Sequence, residues 1–377
     1  MSMGGNMKKM IIYLLIFLLI LSVAIVLFLN LNPAFGGSIT KEQEKAYSKF
    51  DNYADGKFVN TVPTKLFMGS SNSSEDTSSS KEEPTDSRPA TEIPIEPIDW
   101  NKINSEKDSL TWLGHSTFLI SIDNKKILLD PMLGPIASPV SFVGVKRYKY
   151  SKDMMNIIND MPNIDAVFIS HDHYDHLDYQ SILKLKSKVS HFFVPLGVSA
   201  HLISWGVPKD KIIELNWWEE KSYEGLTLAL TPSRHFSGRG ILNLNTTLWG
   251  GLALIGKDTR LYYSGDGGYG PHFKEIGNKY GPFDIALIEG AQYDRRWANT
   301  HMMPEQSVQA NLDVNGKNMI LMHWGAFTLA RHDWKEPIQR ALKETKKADV
   351  NLIVPRIGET VILGPDIQIT DSSWWDF

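Results

Sequence analysis

Three histidines and three aspartates fall within nine consecutive residues, Ser170 to Asp178, of a 377-residue chain that has eleven histidines in all. The run Ala166-Val167-Phe168-Ile169 just before them has the β-branched and aromatic character of a buried strand, so the cluster begins where a strand ends. Along extended backbone alternate side chains share a face, which sends His171, His173 and Asp175 one way and leaves His176 to turn in from the following bend. Imidazole and carboxylate are ligands that suit zinc and similar divalent metals. Ionisable groups this dense at the edge of a core are costly to desolvate without a cation. The pattern H-x-H-x-D-H therefore predicts a metal site.

Three later positions repeat the same placement. His235 follows the apolar run 226–231, Asp266 stands in Ser264-Gly265-Asp266-Gly267-Gly268, and His323 separates Met319-Ile320-Leu321-Met322 from Trp324-Gly325. Each is a polar group where an apolar run gives way to a turn. Together with His171, His173, Asp175 and His176 they make seven candidate ligands, too many for one tetrahedral ion and enough for two ions that share a carboxylate. The chain has no cysteine, so thiolate ligands and disulfides are excluded. A net charge of -4 provides no basic field for nucleic acid, which is not an expected partner.

The elements that must position these residues follow from periodicity. Residues 110–113, 118–122 and 126–129 read as strands, the last two joined by Asp123-Asn124 as a hairpin turn. Helices at 152–160, 179–185 and 197–205 alternate with strands at 164–169, 189–194 and 212–215. Paired strands at 222–231, 247–255 and 259–264 come next, then strands at 283–289 and 318–322 and helices at 304–312 and 333–345. That mixture predicts an α/β sandwich of two sheets with helices outside.

Residues 1–9 read as a short cytoplasmic N-terminus and 10–31 as a transmembrane signal anchor, because about twenty apolar residues cross a core of about 30 Å. Lys8 and Lys9 before the span orient everything after it to the extracytoplasmic side. A cleaved signal peptide is the weaker reading, since its apolar region is usually about 7 to 15 residues. Residues 32–68 form an extension with a helix near 40–50. Residues 69–96 are a linker whose Ser, Asn, Glu and Thr tract cannot offset the entropy of ordering. The catalytic domain spans 97–377, and its aromatic tail, Ser373 to Phe377, is expected to be a packed terminus.

H-x-H-x-D-H at 171–176, the lone His235, Ser-Gly-Asp-Gly-Gly-Tyr at 264–269 and His-Trp-Gly-Ala-Phe at 323–327 together resemble the metallo-β-lactamase superfamily. Trp112-Leu113-Gly114-His115-Ser116-Thr117, His301-Met302-x-Pro304-Glu305 and the segment from Leu329 to Pro337 resemble the branch that contains N-acyl-phosphatidylethanolamine-hydrolysing phospholipase D. The resemblance implies a four-layer αββα fold. It further implies one zinc held by His171, His173 and His235 and a second by Asp175, His176 and His323, with Asp266 bridging them. Manganese or iron could replace zinc. His115 is implied to pack beneath the site.

Two metals would lower the pKa of water towards about 7 and clamp the oxygens of an in-line displacement. The leading expectation is hydrolysis of a phospholipid head-group phosphodiester at a membrane. Asp175, Asp266 and His301 are the candidate catalytic residues, with His301 bonding a phosphate oxygen or protonating the leaving alkoxide. Lys146 and Arg147 are candidates to hold the lipid phosphate. Hydrolysis of a lactone, amide or ester on the same fold is the alternative, and a non-catalytic membrane-tethered binding protein is the third.

Overall fold

The apolar runs pair into two seven-stranded sheets in the computed structural model, which describes all residues except 1–2, 69–85, 241–242, 366 and 370–371. The first sheet has the spatial order Ile212–Leu215, Val189–Pro195, Ile164–Phe168, Lys125–Leu129, Phe118–Ile122, Ser109–Trp112, Thr360–Ile362. The second runs Glu220–Tyr223, Leu226–Thr231, Gly251–Ile255, Arg260–Tyr263, Ile285–Glu289, Asn318–Met322, Asn351–Leu352. Each sheet joins an antiparallel half to a parallel half. Strands such as Ile285–Glu289 are buried along their whole length, because one face meets the other sheet and the other meets helices. The Phe168 and Tyr263 rings, 6.2 Å apart and edge to face, lie where the sheets meet. The result is the four-layer αββα sandwich.

The helices outside the sheets are short. Glu336–Ala348 buries Pro337, Ile338, Ala341 and Thr345, the spacing of a single apolar stripe, and its proline sits in the first turn, where a missing N–H costs nothing. Asp123 and Asn124 both have positive φ, 52° and 62°, as the expected hairpin turn requires.

Several expectations need correction. The stretch 222–231 is a hairpin, with Glu224 and Gly225 at positive φ between Glu220–Tyr223 and Leu226–Thr231. Helix His272–Tyr280 and edge strand Thr360–Ile362 had no counterpart in the sequence reading. The helix is short and carries a glycine, and the strand is only three residues held by pairing with Ser109–Trp112.

The extension at 32–68 is part of the body. Its helix Lys41–Tyr47 and small hairpin Tyr53–Ala54 with Lys57–Phe58 bury Tyr47, Tyr53 and Phe58 in the main core. The Trp205 indole donates to Pro33 O at 2.6 Å, and the buried Arg239 guanidinium to Ala34 O at 2.7 Å. The linker predicted at 69–96 lies mostly outside the described residues, and by Ile93, which is buried and bonds Lys149 O at 2.8 Å, the chain has rejoined the core. The tail does pack: Trp374 stacks on Trp324 at 5.6 Å.

One helix, Met3–Leu31, contains a 23-residue apolar stretch long enough to cross a membrane, and none of its apolar window is buried.

Candidate metal centre

The carboxyl ends of parallel strands converge on one edge of the sandwich, where loops leave the sheet and backbone polar groups are free to bind. Asp130 follows Lys125–Leu129, His171 follows Ile164–Phe168, Asp266 follows Arg260–Tyr263, Glu289 ends its strand and His323 follows Asn318–Met322. His235 arrives from the antiparallel strand Leu226–Thr231. Gly265, at φ 59°, turns Asp266 inward, and a Cβ there would stand 2.6 Å from Gly250 O, so the turn admits only glycine.

All seven predicted ligands lie together, in two groups. His173 Nδ1 is 2.9 Å from His171 Nε2 and 3.3 Å from His235 Nε2. In the second group Asp175 Oδ2 lies 3.1 Å from His323 Nε2 and 3.5 Å from His176 Nε2. Asp266 Oδ2 reaches the same two nitrogens at 3.2 and 3.1 Å. Ligands bonded to one tetrahedral ion at about 2.0–2.2 Å stand about 3.3–3.6 Å from each other, and these spacings, a few tenths of an ångström shorter or equal, are close to those of ligand sets. Among the described residues, Asp266 Oδ1 and His176 Nε2 are buried with no hydrogen-bond partner. An aspartate with one oxygen against the second group and the other unpaired fits a bridging role between two cations.

Electrostatics agree with that fit. Burial, reinforced by neighbouring imidazoles, drives His171 and His235 well below the usual imidazole range, which leaves neutral lone pairs. Burial opposes ionisation of Asp175 and Asp266, yet His176 and then the other histidines around them hold both well below the usual carboxylate range. Burial also lowers His323, but Asp266 and Asp175 push it up to about 10, and the same carboxylates push His176 well above its usual value. The buried carboxylate of Asp266 and the partly buried one of Asp175 thus demand positive charge at this edge. A divalent cation supplies it and leaves the imidazoles free to bind.

A set of partners behind the predicted ligands was not found from sequence. Asp130 is fully buried and holds His176 Nδ1 at 2.6 Å, while accepting from Ser170 N at 2.7 Å, Ser170 Oγ at 2.5 Å and Tyr263 OH at 2.6 Å. Glu289, also fully buried, accepts from Met302 N at 3.0 Å and contacts His301 Nδ1 at 3.1 Å and His323 Nδ1 at 3.5 Å. His235 Nδ1 donates to Thr300 O at 2.9 Å. Such partners fix the tautomer and ring orientation of a metal-binding histidine. The one available signal was a carboxylate at a strand end, which Asp130 shares with Asp266. His115, at φ 54°, lies beneath the site with Nε2 2.9 Å from Asp175 Oδ2.

A cavity of ≈ 260 Å³ opens above the site, and its walls include His173, Asp175, Asp266, His301 and His323 together with Leu66, Phe236, Trp297 and Leu329. His301 is therefore on the cavity, as expected of a residue that meets substrate. Lys146 and Arg147 are not. The Arg147 guanidinium donates to Gly134 O at 3.0 Å and Met132 O at 2.6 Å and lies over the Phe327 ring at 4.6 Å. Its Nε and Nη2 thus meet backbone carbonyls and the side chain is not among the cavity walls, which favours a structural role for Arg147 over the expected substrate contact. Lys146 is exposed on a hairpin outside the cavity. Arg147→Ala should accordingly cost about 2 kcal/mol of stability through lost charged hydrogen bonds, seen as a lower melting temperature, while Lys146→Ala leaves it unchanged. A raised KM with unchanged melting in Arg147→Ala would restore the substrate role.

The profile of the beta-lactamase superfamily domain matches residues 125–324, which contain all seven predicted ligands. An uncharacterized protein of Mycobacterium tuberculosis is 38% identical over 358 residues, covering 91% of this chain and 92% of its own. The N-acyl-phosphatidylethanolamine-hydrolyzing phospholipase D 1 of Caenorhabditis elegans is 33% identical over 285 residues, covering 71% of this chain and 79% of its own. Among solved structures, a metallo hydrolase from the archaeon Ignicoccus hospitalis superposes with a TM-score of 0.53 at 23% identity, covering 69% of this chain and 99% of that one.

Proposed function

This chain belongs to the metallo-β-lactamase superfamily and is a metal-dependent hydrolase, and from that premise we propose that it hydrolyses the head-group phosphodiester of a membrane phospholipid with two zinc ions. His171, His173 and His235 would hold one ion, Asp175, His176 and His323 the other, with Asp266 between them. When bound, such a pair polarises phosphoryl oxygens and lowers the pKa of water towards about 7. The observation that carries the reading is Asp266, which has one oxygen against His176 and His323 and the other buried without a partner.

The chain's own groups divide the remaining work. Asp175, on the cavity wall, would orient the attacking water or shuttle its proton. Glu289 holds His301 Nδ1, which leaves Nε2 for the substrate, either to bond a non-bridging phosphate oxygen or to protonate the departing head-group alkoxide. In the net step a water oxygen bonds to phosphorus, the bond from phosphorus to the head-group oxygen breaks, and the products are phosphatidate and a free alcohol. Leu66, Phe236, Trp297 and Leu329 supply apolar walls that exclude water from the site. A volume of ≈ 260 Å³ is below the roughly 300–1,000 Å³ that encloses a drug-sized ligand, which suits a head group whose acyl chains stay outside. The C. elegans relative, named for hydrolysis of N-acyl-phosphatidylethanolamine, supports the substrate class. The N-terminal apolar helix supports an anchor that holds the site at a bilayer.

Two measurements test the proposal. The purified chain should bind two equivalents of zinc or manganese; fewer than one, with no gain on adding metal, removes the two-metal site. In mixed micelles it should release alcohol from N-acyl-phosphatidylethanolamine or another phospholipid. Turnover confined to lactones or simple esters would replace the phosphodiester reading with carbonyl attack by the same site.

A further inference from the structure

The loop from Pro131 to Tyr150 ends in a small hairpin, Ile136–Ala137 paired with Val145–Lys146, whose tip does what soluble loops avoid. Phe142 is 79% exposed and Val143 60% exposed, side by side at the turn. The loop closes on a glycine: Gly144 has φ 121°, and a Cβ there would stand 2.3 Å from the Ser138 Cβ, so a side chain at this position is excluded. Neither residue contributes to the core or to the cavity. A bulky apolar pair held out by a built turn calls for an apolar partner.

Two further observations say what covers it. The apolar N-terminal helix ends at Leu31, and Asn32 directly after it donates from Nδ2 to Pro139 O on this hairpin at 3.2 Å. Phe142 is three residues from Pro139, a reach of at most about 10 Å along the chain, whereas the interfacial layer of a bilayer is about 5–7 Å thick on each side. A helix that leaves the bilayer at Leu31 therefore keeps the tip within reach of the membrane surface. The foot of the hairpin is also tied to the cavity wall. Ala137, Val145 and the cavity residue Leu329 all pack on one cluster of Met132, Ala326 and Phe327. A second exposed apolar pair, Phe67 at 63% and Met68 at 44%, directly follows another wall residue, Leu66.

We infer that the Phe142-Val143 hairpin tip is a second membrane contact, which inserts into the same bilayer as the N-terminal helix and turns the mouth of the catalytic cavity toward the lipid surface. The N-terminal helix by itself is a tether about which the domain could swing. A second contact on the hairpin fixes the orientation, so that a head group passes from the interface to the cavity while its acyl chains stay in the bilayer. The inference rests on the proposed anchor for the position of the membrane, and it would give the proposed phospholipid reading its route of substrate entry.

The test exploits a chain without cysteine. Single substitutions Phe142→Cys, Leu14→Cys and Glu224→Cys, each in the full chain carrying a nitrobenzoxadiazole probe, are reconstituted in vesicles of phosphatidylcholine and phosphatidylglycerol, with and without brominated acyl chains. Glu224 sits on a turn at the opposite end of the strand that leads to His235. The probe at 142 should shift to the blue and lose most of its intensity to brominated lipid, as should the probe at 14, while the probe at 224 stays unquenched. Quenching at 14 with a water-like, unquenched probe at 142 overturns the hairpin contact and keeps the anchor. Quenching at 142 without quenching at 14 keeps the contact and rejects the anchor. Absence of quenching at both positions rejects both. Circular dichroism of each labelled chain confirms that the comparison is between folded proteins.

Discussion

Asp266→Asn is expected to leave at most one tightly bound metal per chain and to reduce turnover about a thousand-fold, the scale on which enzymes lose rate when a charge-stabilising group in an enclosed site is removed. The side chain keeps its shape, so the fold should persist. What changes is the charge and one lone-pair set. The carboxylate has Oδ2 at 3.1 and 3.2 Å from His176 and His323 and Oδ1 buried without a partner, and an amide cannot offer anionic oxygen to both sides. Metal content by elemental analysis and initial rates on the best phospholipid of the panel measure the two effects. A variant that retains two ions and wild-type turnover would show that Asp266 is not the bridge.

Asp130→Ala should have the largest effect on stability, about 3 kcal/mol or more, because it strands buried donors that have no access to water. Ser170 N, Ser170 Oγ, Tyr263 OH and His176 Nδ1 all point at this carboxylate within 2.7 Å. Asp130→Asn separates stability from orientation. It keeps much of the packing and should lower metal affinity 10- to 100-fold, the usual penalty for losing a partner behind a metal-binding histidine. Thermal melts with and without a chelator, together with zinc titration, make the distinction. Equal metal affinity in wild type and Asp130→Asn would reduce Asp130 to a packing role.

The two carboxylates behind the site, Asp130 and Glu289, show where local reading stops. Nothing in Leu128-Leu129-Asp130 separates a strand-ending aspartate that caps a turn from one that orients a histidine 46 residues away. Glu289 ends an otherwise apolar strand, yet its fully buried carboxylate serves His301 and His323 from two other loops. Arg147 shows the same limit. Its charge is visible in the sequence, but the carbonyls of Met132 and Gly134 that accept from its Nη2 and Nε are visible only once the loop is folded.

The extension at 32–68 teaches a related point. Its aromatic residues are spaced irregularly and carry no period, so from sequence it reads only as an extension with one short helix. Tyr47, Tyr53 and Phe58 nevertheless enter the main core, and Asn60 exchanges hydrogen bonds with the backbone of His235 at 2.8 and 3.1 Å. This segment buttresses the site and, through Leu66, lines it.

By itself the sequence determined the features that local chemistry encodes: apolar periods that become strands and helices, an apolar run long enough to span a bilayer, and seven histidines and aspartates at the ends of strands. Those signals survive because side-chain alternation and turn formation depend on near neighbours. Only the tertiary structure decided which carboxylates stand behind the histidines, that Arg147 donates to the carbonyls of Gly134 and Met132, and that Asn32 after the N-terminal helix bonds the hairpin at Pro139. These are pairings between residues distant in the chain. Sequence pattern carries no record of such pairings, because they arise when sheets and loops bury their surfaces against one another.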